Sequence, residues 1–144
     1  MRTVYLVSCV KKKKNKPFPA KELYDSNWFR KARAYVESEA TPWFILSAKH
    51  GLLNPDFTID PYNKTLNEMS TTEKREWAAR VIGHLKQVVS HSDRIVLFAG
   101  ECYRQFLVDD LSKICGVVEV PLKSLPIGKQ LQWFKNRLFT CEQD

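Results

Sequence analysis

The sequence has no long apolar run and no closely spaced pair of cysteines. Its longest apolar stretches, such as Ile95 to Ala99, are far shorter than the ~20 residues of a membrane-spanning helix, so we expect no membrane partner. The four cysteines lie far apart, which argues against a zinc knuckle and against a secreted disulfide scaffold. No small-residue cleavage site follows the apolar segment that begins at Thr3. We therefore expect no signal peptide, reduced thiols and a cytoplasmic location.

Acidic residues are in the minority. Twenty-three Lys and Arg residues against sixteen Asp and Glu give a formal net charge of +7 and a pI near 9.3. A basic protein favours anionic partners, because binding to a polyanion releases its counterions. Nucleic acid, DNA more than RNA, is the leading expected partner, although many basic proteins of this size bind none. The length of 144 residues fits one α/β domain over residues 1–144, and the sequence leaves its oligomeric state open.

Four short apolar runs have the length and composition of buried β-strands. They are Thr3 to Val10, Trp43 to Ser47, Arg94 to Ala99 and Val117 to Val120. Segments with helical periodicity follow each of them. This alternation predicts an α/β fold: a three-layer sandwich with a four-stranded, mainly parallel sheet.

The predicted helices have recognisable starts and apolar stripes. Ser26 caps the first, and Ser70 with Glu73 forms the capping box of the second, whose apolar stripe continues to Val88 and Val89. The third and fourth helices are predicted over Tyr103 to Ile114 and Lys129 to Leu138. The stretches after the first two strands show neither helical nor strand periodicity, so they are predicted to be long loops.

The loops that follow parallel strands lie together at the carboxyl edge of the sheet, where ligands bind near the switch in strand order. Four segments should therefore meet there: Ser8-Cys9 with the lysine run, the Ser47 to Leu66 loop, Gly100 to Tyr103, and Pro121 to Gly128. These segments hold nearly all of the residues that are capable of chemistry.

A run of four lysines follows the first strand. Lys11, Lys12, Lys13 and Lys14 are candidate phosphate ligands, with Ser8 and Lys49 beside them on the same edge. Phe18, Tyr24, Tyr62 and Tyr103 are the candidate aromatic surfaces for a base. The alternative is a solvated loop, because lysine runs often serve only solubility.

The second long loop carries the candidate catalytic groups. His50 lies directly after a buried strand, where an imidazole can donate a proton or bind an oxyanion. Asp56 or Asp60 can act as a base or stabilise a cation. The alternatives are a histidine bonded to loop carbonyls and aspartates that cap turns.

Cys9 is either a nucleophile activated by the neighbouring lysines or a packed thiol. One histidine and two aspartates in a loop make no specific metal spacing. We accordingly expect no metal and no cofactor.

The stretch LSAKHGLLNPDFTIDPY around Ser47 to Tyr62 resembles a signature of a family of bacterial and phage domains of unknown function, as do Ser8-Cys9 and the PAKELY segment that ends at Tyr24. More distantly, the same loop is similar to one motif of the YaaA family, DNA-binding proteins linked to peroxide resistance. An α/β sandwich of this size also resembles the uracil-DNA glycosylase architecture, and Asp60-Pro61-Tyr62 gives the Asp-Pro-Tyr tripeptide of a glycosylase motif. These resemblances imply a nucleic-acid or modified-base context.

Together these features predict a nucleic-acid-associated enzyme that acts on a modified nucleobase, most plausibly a DNA glycosylase-like hydrolase that cleaves an N-glycosidic bond. In this interpretation the lysines hold phosphates and aromatic rings stack on an extruded base. His50 stabilises the departing base, and Asp56 or Asp60 steadies the sugar cation or orients water. The alternatives are a non-catalytic DNA-binding module of YaaA type and a small nucleoside- or nucleotide-processing enzyme.

Overall fold

The computed structural model describes residues 1–143, and the side chains of residues 1–138. Its central sheet has five strands in the order β4, β3, β1, β6, β7. The strands are β1 (Thr3–Ser8), β3 (Trp43–Ser47), β4 (Gly51–Leu53), β6 (Arg94–Phe98) and β7 (Val117–Glu119). The predicted α/β fold with a mainly parallel sheet is confirmed, because β3, β1, β6 and β7 run parallel and β4 alone is antiparallel.

The central sheet has five strands, whereas the sequence predicted four. Gly51 has a φ of +69°, the left-handed region that favours glycine, and the chain reverses there directly after β3. Leu52 then pairs antiparallel with Leu46. A further two-stranded sheet joins β2 (Phe18–Pro19) to β5 (Thr58–Ile59). Strands of two or three residues are too short to show an alternation of apolar and polar residues. The sequence therefore predicted only loops at these places.

Residues 1–143 form six α-helices, of which the last follows β7. They are α1 (Ala20–Leu23), α2 (Asn27–Ser38), α3 (Thr71–Leu85), α4 (Glu101–Arg104), α5 (Val108–Ile114) and α6 (Ile127–Gln143). The predicted caps are confirmed, since Ser26 accepts from Phe29 and Ser70 forms the complete capping box with Glu73. The predicted third helix is wrong in detail, because a turn over residues 105–107 divides it into α4 and α5.

Helices α2 and α6 pack on one face of the sheet through an aromatic cluster. Tyr5 and Phe98 project from β1 and β6 with their ring planes 3° apart. Tyr35 of α2 and Phe134 of α6 meet Phe98 with centroids 5.8 and 5.1 Å away. Burying a ring such as Phe134 stabilises the fold by roughly 1.5–3 kcal/mol. No helix in the described part of the chain is long and apolar enough to cross a membrane.

Candidate functional site

Loops from three different strands meet at the carboxyl edge of the sheet, as the sequence predicts. Cys9 follows β1, and its Sγ lies 3.1 Å from the hydroxyl of Tyr103, which belongs to α4 after β6. Its backbone N–H donates to the carbonyl of Leu46 in β3. Since the chain passes from β3 on one side of β1 to β6 on the other, this edge is the switch in strand order.

A chain of buried hydroxyl groups lies beside Cys9. The Tyr62 hydroxyl is 2.7 Å from that of Tyr24 and 2.8 Å from Oγ of Ser47. Ser47 Oγ also accepts the backbone N–H of His50, and the Ser47 carbonyl accepts the indole N–H of Trp77. These bonds tie the loop after β3 to the segment after β1 and to α3.

The three tyrosines of this cluster stay protonated over the usual pH range. Burial raises the pKa of Tyr24, Tyr62 and Tyr103 well above the ordinary value, and a negative charge on Cys9 would raise each of them further. Each hydroxyl therefore keeps its proton and acts as a hydrogen-bond donor to a neighbouring group.

The predicted lysine run lines a cleft of about 670 Å³ above this hydroxyl chain. Lys11, Lys12, Lys13 and Lys14 form one side, and Pro61, Tyr62 and Asn63 form the other. Lys13 is half-buried, and its ammonium lies 4.3 Å from the centroid of Tyr62. Burial lowers the pKa of Lys13, partly offset by the nearby Cys9. The other three lysines are exposed, so most of the positive charge faces solvent at the mouth of the cleft.

His50 joins the cluster through its backbone and its ring. The imidazole packs edge-on against Tyr62, with the ring centroids 5.6 Å apart. Burial, and secondly the charge of Lys49, lower the pKa of His50 below 6.5. The imidazole is therefore neutral at pH 7 and can donate one N–H without first gaining a proton.

The two candidate carboxylates lie outside the hydroxyl chain. Asp56 forms an ion pair with Lys21 at 2.8 Å, and its side chain is 76% exposed. Asp60 is exposed and directly precedes Pro61 in the wall of the cleft. Neither carboxylate bonds to His50 within residues 1–138. Of the two, Asp60 alone adjoins the cleft.

The four candidate base-binding rings are already engaged. Tyr24 is 2% exposed, and Tyr103 packs edge-on against Trp77. Phe18 has the ammonium groups of Lys14 and Lys16 within 4.5 and 5.5 Å of its ring, and Tyr62 has Lys13 over its own. Lys49 is exposed, whereas Ser8 is buried as the last residue of β1.

The sequence interpretation missed Ser47 as a residue of the site, and it gave no role to the exposed Phe57. Ser47 is fully buried at the centre of the hydroxyl chain, and its signal was a polar residue that ends the apolar run WFILS. Phe57, in the turn before β5, is 66% exposed. Its signal was an aromatic residue between turn formers. In the predicted fourth segment, Pro121 to Gly128, the Leu125 carbonyl accepts a side-chain N–H of Gln130, and the last two residues of the segment begin α6.

A second cleft, of about 710 Å³, lies between α3 and α5 and contains none of the predicted site residues.

Three cysteines, Cys9, Cys102 and Cys115, are free thiols, while the side chain of Cys141 lies outside the described residues. Within the described residues, no group of three or more His, Cys, Asp or Glu side chains is arranged to hold a metal ion.

A family described as "Family of unknown function (DUF6884)" matches residues 4–136. The chain belongs to this family. The match covers the five strands of the central sheet except Thr3 and includes every member of the cluster around Cys9, so the cleft lies within the DUF6884 domain. No significant match was found among curated proteins or among solved structures. The predicted relation to a family of unknown function is therefore confirmed.

Proposed function

We propose that this DUF6884 protein is a nucleic-acid-associated enzyme that acts on a nucleobase by hydrolysing an N-glycosidic bond. One observation carries the proposal: the cleft lined by Lys11 to Lys14 opens over a buried chain of protonated hydroxyl groups that is flanked by a neutral imidazole. Phosphate recognition and proton-donating chemistry are thus adjacent at the switch in strand order.

The lysines provide the first step, which is to hold the phosphate backbone. Lys11, Lys12 and Lys14 are exposed, and among the side chains of residues 1–138 they form one ion pair, the 4.0 Å contact between Lys12 and Asp25. Ammonium groups that face solvent bind phosphates with little loss of existing contacts. This step accounts for affinity without sequence preference.

The hydroxyl chain and His50 provide the second step. When the N-glycosidic bond breaks, the base leaves with the bonding electron pair, water adds its hydroxyl to the sugar carbon, and the base takes the remaining proton. The neutral His50 imidazole donates an N–H to the departing base, which stabilises the charge that develops there. Asp60, beside Pro61, is the carboxylate that we assign to the sugar cation or to the attacking water.

A non-catalytic binding module is the second candidate, and the exposure of the carboxylates favours it. Catalytic carboxylates are usually tuned by burial or by a close partner inside the site. Here Asp56 is 76% exposed and paired with Lys21, and Asp60 is also exposed. The loop that resembles a YaaA motif fits either candidate, since that family is described as DNA-binding.

We also propose that the sheet is covered on both faces, which would make a three-layer sandwich. The connection from β1 to β3 and the connection from β3 to β6 run in opposite directions across the sheet. Right-handed crossovers then place α2 and α3 on opposite faces.

The test of function is release of free base from DNA and RNA strands that carry modified cytosine, uracil or guanine. We expect the wild-type protein to release a base, and His50→Ala to abolish release while affinity stays within a few-fold, because binding depends mainly on phosphates. His84→Ala on α3 is the matched control and should leave turnover unchanged. Because burial lowers the pKa of His50, the pH at which the wild-type rate begins to change should lie lower than it would for an ordinary histidine.

Two outcomes would change the assignment. Full turnover in a stably folded His50→Ala protein would remove His50 from the mechanism. Salt-dependent binding by the wild-type protein without release from any substrate would favour the binding module.

A further inference from the structure

One large aromatic ring, close in sequence to the cleft wall at Pro61, is mostly uncovered by the rest of the protein. Phe57 is 66% exposed, although a phenyl ring gains about 1.5–3 kcal/mol when it is fully buried. The other exposed large apolar side chains in the described part of the chain are aliphatic: Met1, Ile127, Val117 and Val88 are 80%, 62%, 40% and 39% exposed. A ring displayed to this extent beside a basic cleft is a candidate contact for a planar ligand.

The backbone under this ring is fixed on both sides. The Phe57 N–H donates to the carbonyl of Asn54, and the Phe57 carbonyl accepts the N–H of Ala20 at 2.7 Å. Asn54 Oδ1 also accepts the N–H of Asp56, and the Pro55 carbonyl accepts that of Lys21. Because these bonds hold the turn, little backbone entropy is lost when the ring binds a partner.

The ring lies within reach of the cleft. The strand β5 connects Phe57 to Pro61 and Tyr62 of the cleft wall, and five residues of chain span at most about 18 Å. At ~3.4 Å per stacked base this distance corresponds to about five nucleotides. The strand β2, which pairs with β5, follows the lysine run in the chain. The two-stranded sheet therefore joins the segment that holds Phe57 to the segment that holds the lysines.

The other candidate rings are less available to a base. Lysine ammonium groups already lie over Phe18 and Tyr62, and Tyr24 is buried. Phe57 therefore offers the most exposed aromatic surface at this edge of the sheet.

We propose that Phe57 stacks on a base of a single-stranded nucleic acid whose phosphates are held by Lys11 to Lys14. The inference rests on the proposed function, and it specifies that the nucleic acid bound is single-stranded. Bases in a single strand expose their faces, whereas those of a duplex are covered by neighbouring base pairs, and aromatic rings beside a basic groove are the recurring design for single strands. A membrane surface fits less well, because it is bound by a broad apolar face rather than by one ring.

The test compares the full-length protein with Phe57→Ala and Phe57→Trp. The probe is a fluorescently labelled DNA or RNA single strand of about 16 nucleotides, with the matching duplex and anionic phosphatidylserine vesicles as separate arms. Phe57→Ala should weaken single-strand binding by roughly 5- to 150-fold, the range for the loss of one stacked base, while Phe57→Trp should retain it. Val88→Ala, another exposed apolar residue, is the control and should bind normally.

The salt dependence separates stacking from charge. Phe57→Ala should keep the wild-type slope of affinity against salt, since no phosphate contact is lost. Replacing Lys11 to Lys14 by Ala should flatten that slope. A changed slope in Phe57→Ala would overturn the stacking assignment.

The remaining outcomes distinguish this inference from the proposed function. If the wild-type protein binds single strands and Phe57→Ala binds equally well, the role of Phe57 is wrong while the proposed function stands. An equal loss on the duplex, or binding to vesicles that depends on Phe57, would also overturn it. If the wild-type protein binds no nucleic acid at low salt, both proposals fail.

Discussion

The two edges of the parallel sheet both carry polar side chains, but the groups are used differently. At the amino edge, Asp93 is 3% exposed and accepts from Arg2 at 2.7 Å and from the N–H of Ser90. Arg94 beside it contacts Thr3 and Glu119. These groups are paired with one another and leave little for a ligand to bind.

At the carboxyl edge, buried hydroxyl groups bond to one another beneath a cleft that is lined by exposed lysines. Tyr62 shares its hydroxyl with Ser47 and Tyr24, while three lysines above it stay exposed. The comparison indicates that polarity alone does not mark a site. A site combines buried donors of fixed position with open charge beside them.

The largest expected effect concerns the support of the carboxyl edge. Trp77 is 2% exposed and donates its indole N–H to the Ser47 carbonyl at 2.8 Å. Trp77→Ala should lower the free energy of unfolding by about 3–5 kcal/mol, because it opens a cavity and leaves that carbonyl without its donor. Urea denaturation measures this loss.

Trp77→Phe provides the control, since it keeps most of the volume and removes only the donor. It should cost about 1 kcal/mol. If both variants were as stable as the wild-type protein, the carboxyl edge would not depend on this side chain, and the contrast between the edges would weaken.

A smaller effect is expected from the middle of the hydroxyl chain. Tyr62→Phe leaves Ser47 Oγ and the Tyr24 hydroxyl without their shared partner, and both residues are buried. We expect a loss of about 1–3 kcal/mol in unfolding free energy, together with slower base release. Tyr24→Phe, at the end of the chain, removes one hydrogen bond instead of two and should cost less. Equal stability of the two variants would contradict a linear chain.

The fold was largely predictable because long elements carry periodicity. The run Thr3 to Val10 predicted the start of β1 and extended two residues past its end at Ser8, and the capping box at Ser70 predicted the start of α3. The strand β4 was not predictable, since three residues show no alternation and its pairing depends on the reversal at Gly51.

The site was predictable by region but not by residue. Parallel strands bring Cys9 and Tyr103 to one edge whatever their side chains contact, so topology alone identified the neighbourhood. The direction in which each side chain points depends on the local backbone conformation, and the spacing of residues in the sequence does not reveal it. Ser47 and Asp56 are nine residues apart, yet one is fully buried and the other forms a surface ion pair.

The amino edge gives a prediction that depends on pH. Arg2, and secondly the N–H of Ser90, lower the pKa of Asp93 below its ordinary value of 3.8. A lowered folded-state pKa contributes stability above pH 3.8 that is lost as the pH falls below that value. Asp93→Asn should therefore lower the Tm at pH 7, with a moderate effect because the Arg2 side chain is 47% exposed to water.

The difference in Tm between Asp93→Asn and the wild-type protein should shrink as the pH approaches 3. Single-strand affinity at pH 7 should not change, because Asp93 lies at the edge opposite the cleft. Reduced affinity in a folded Asp93→Asn protein would break the division of roles between the two edges.

The smallest expected effect separates the two carboxylates of the loop after β3. The ion pair of Asp56 with Lys21 joins side chains that are 76% and 29% exposed, so water and salt screen it. Asp56→Asn should therefore leave the Tm and the rate of base release unchanged within error, as judged by thermal melts beside the release assay. Asp60→Asn, next to the cleft wall at Pro61, should slow release while the melt stays the same. If Asp56→Asn instead slowed release in a stable protein, the catalytic carboxylate would lie on the α1 side of the loop, and the cleft boundary drawn at Pro61 would have to move.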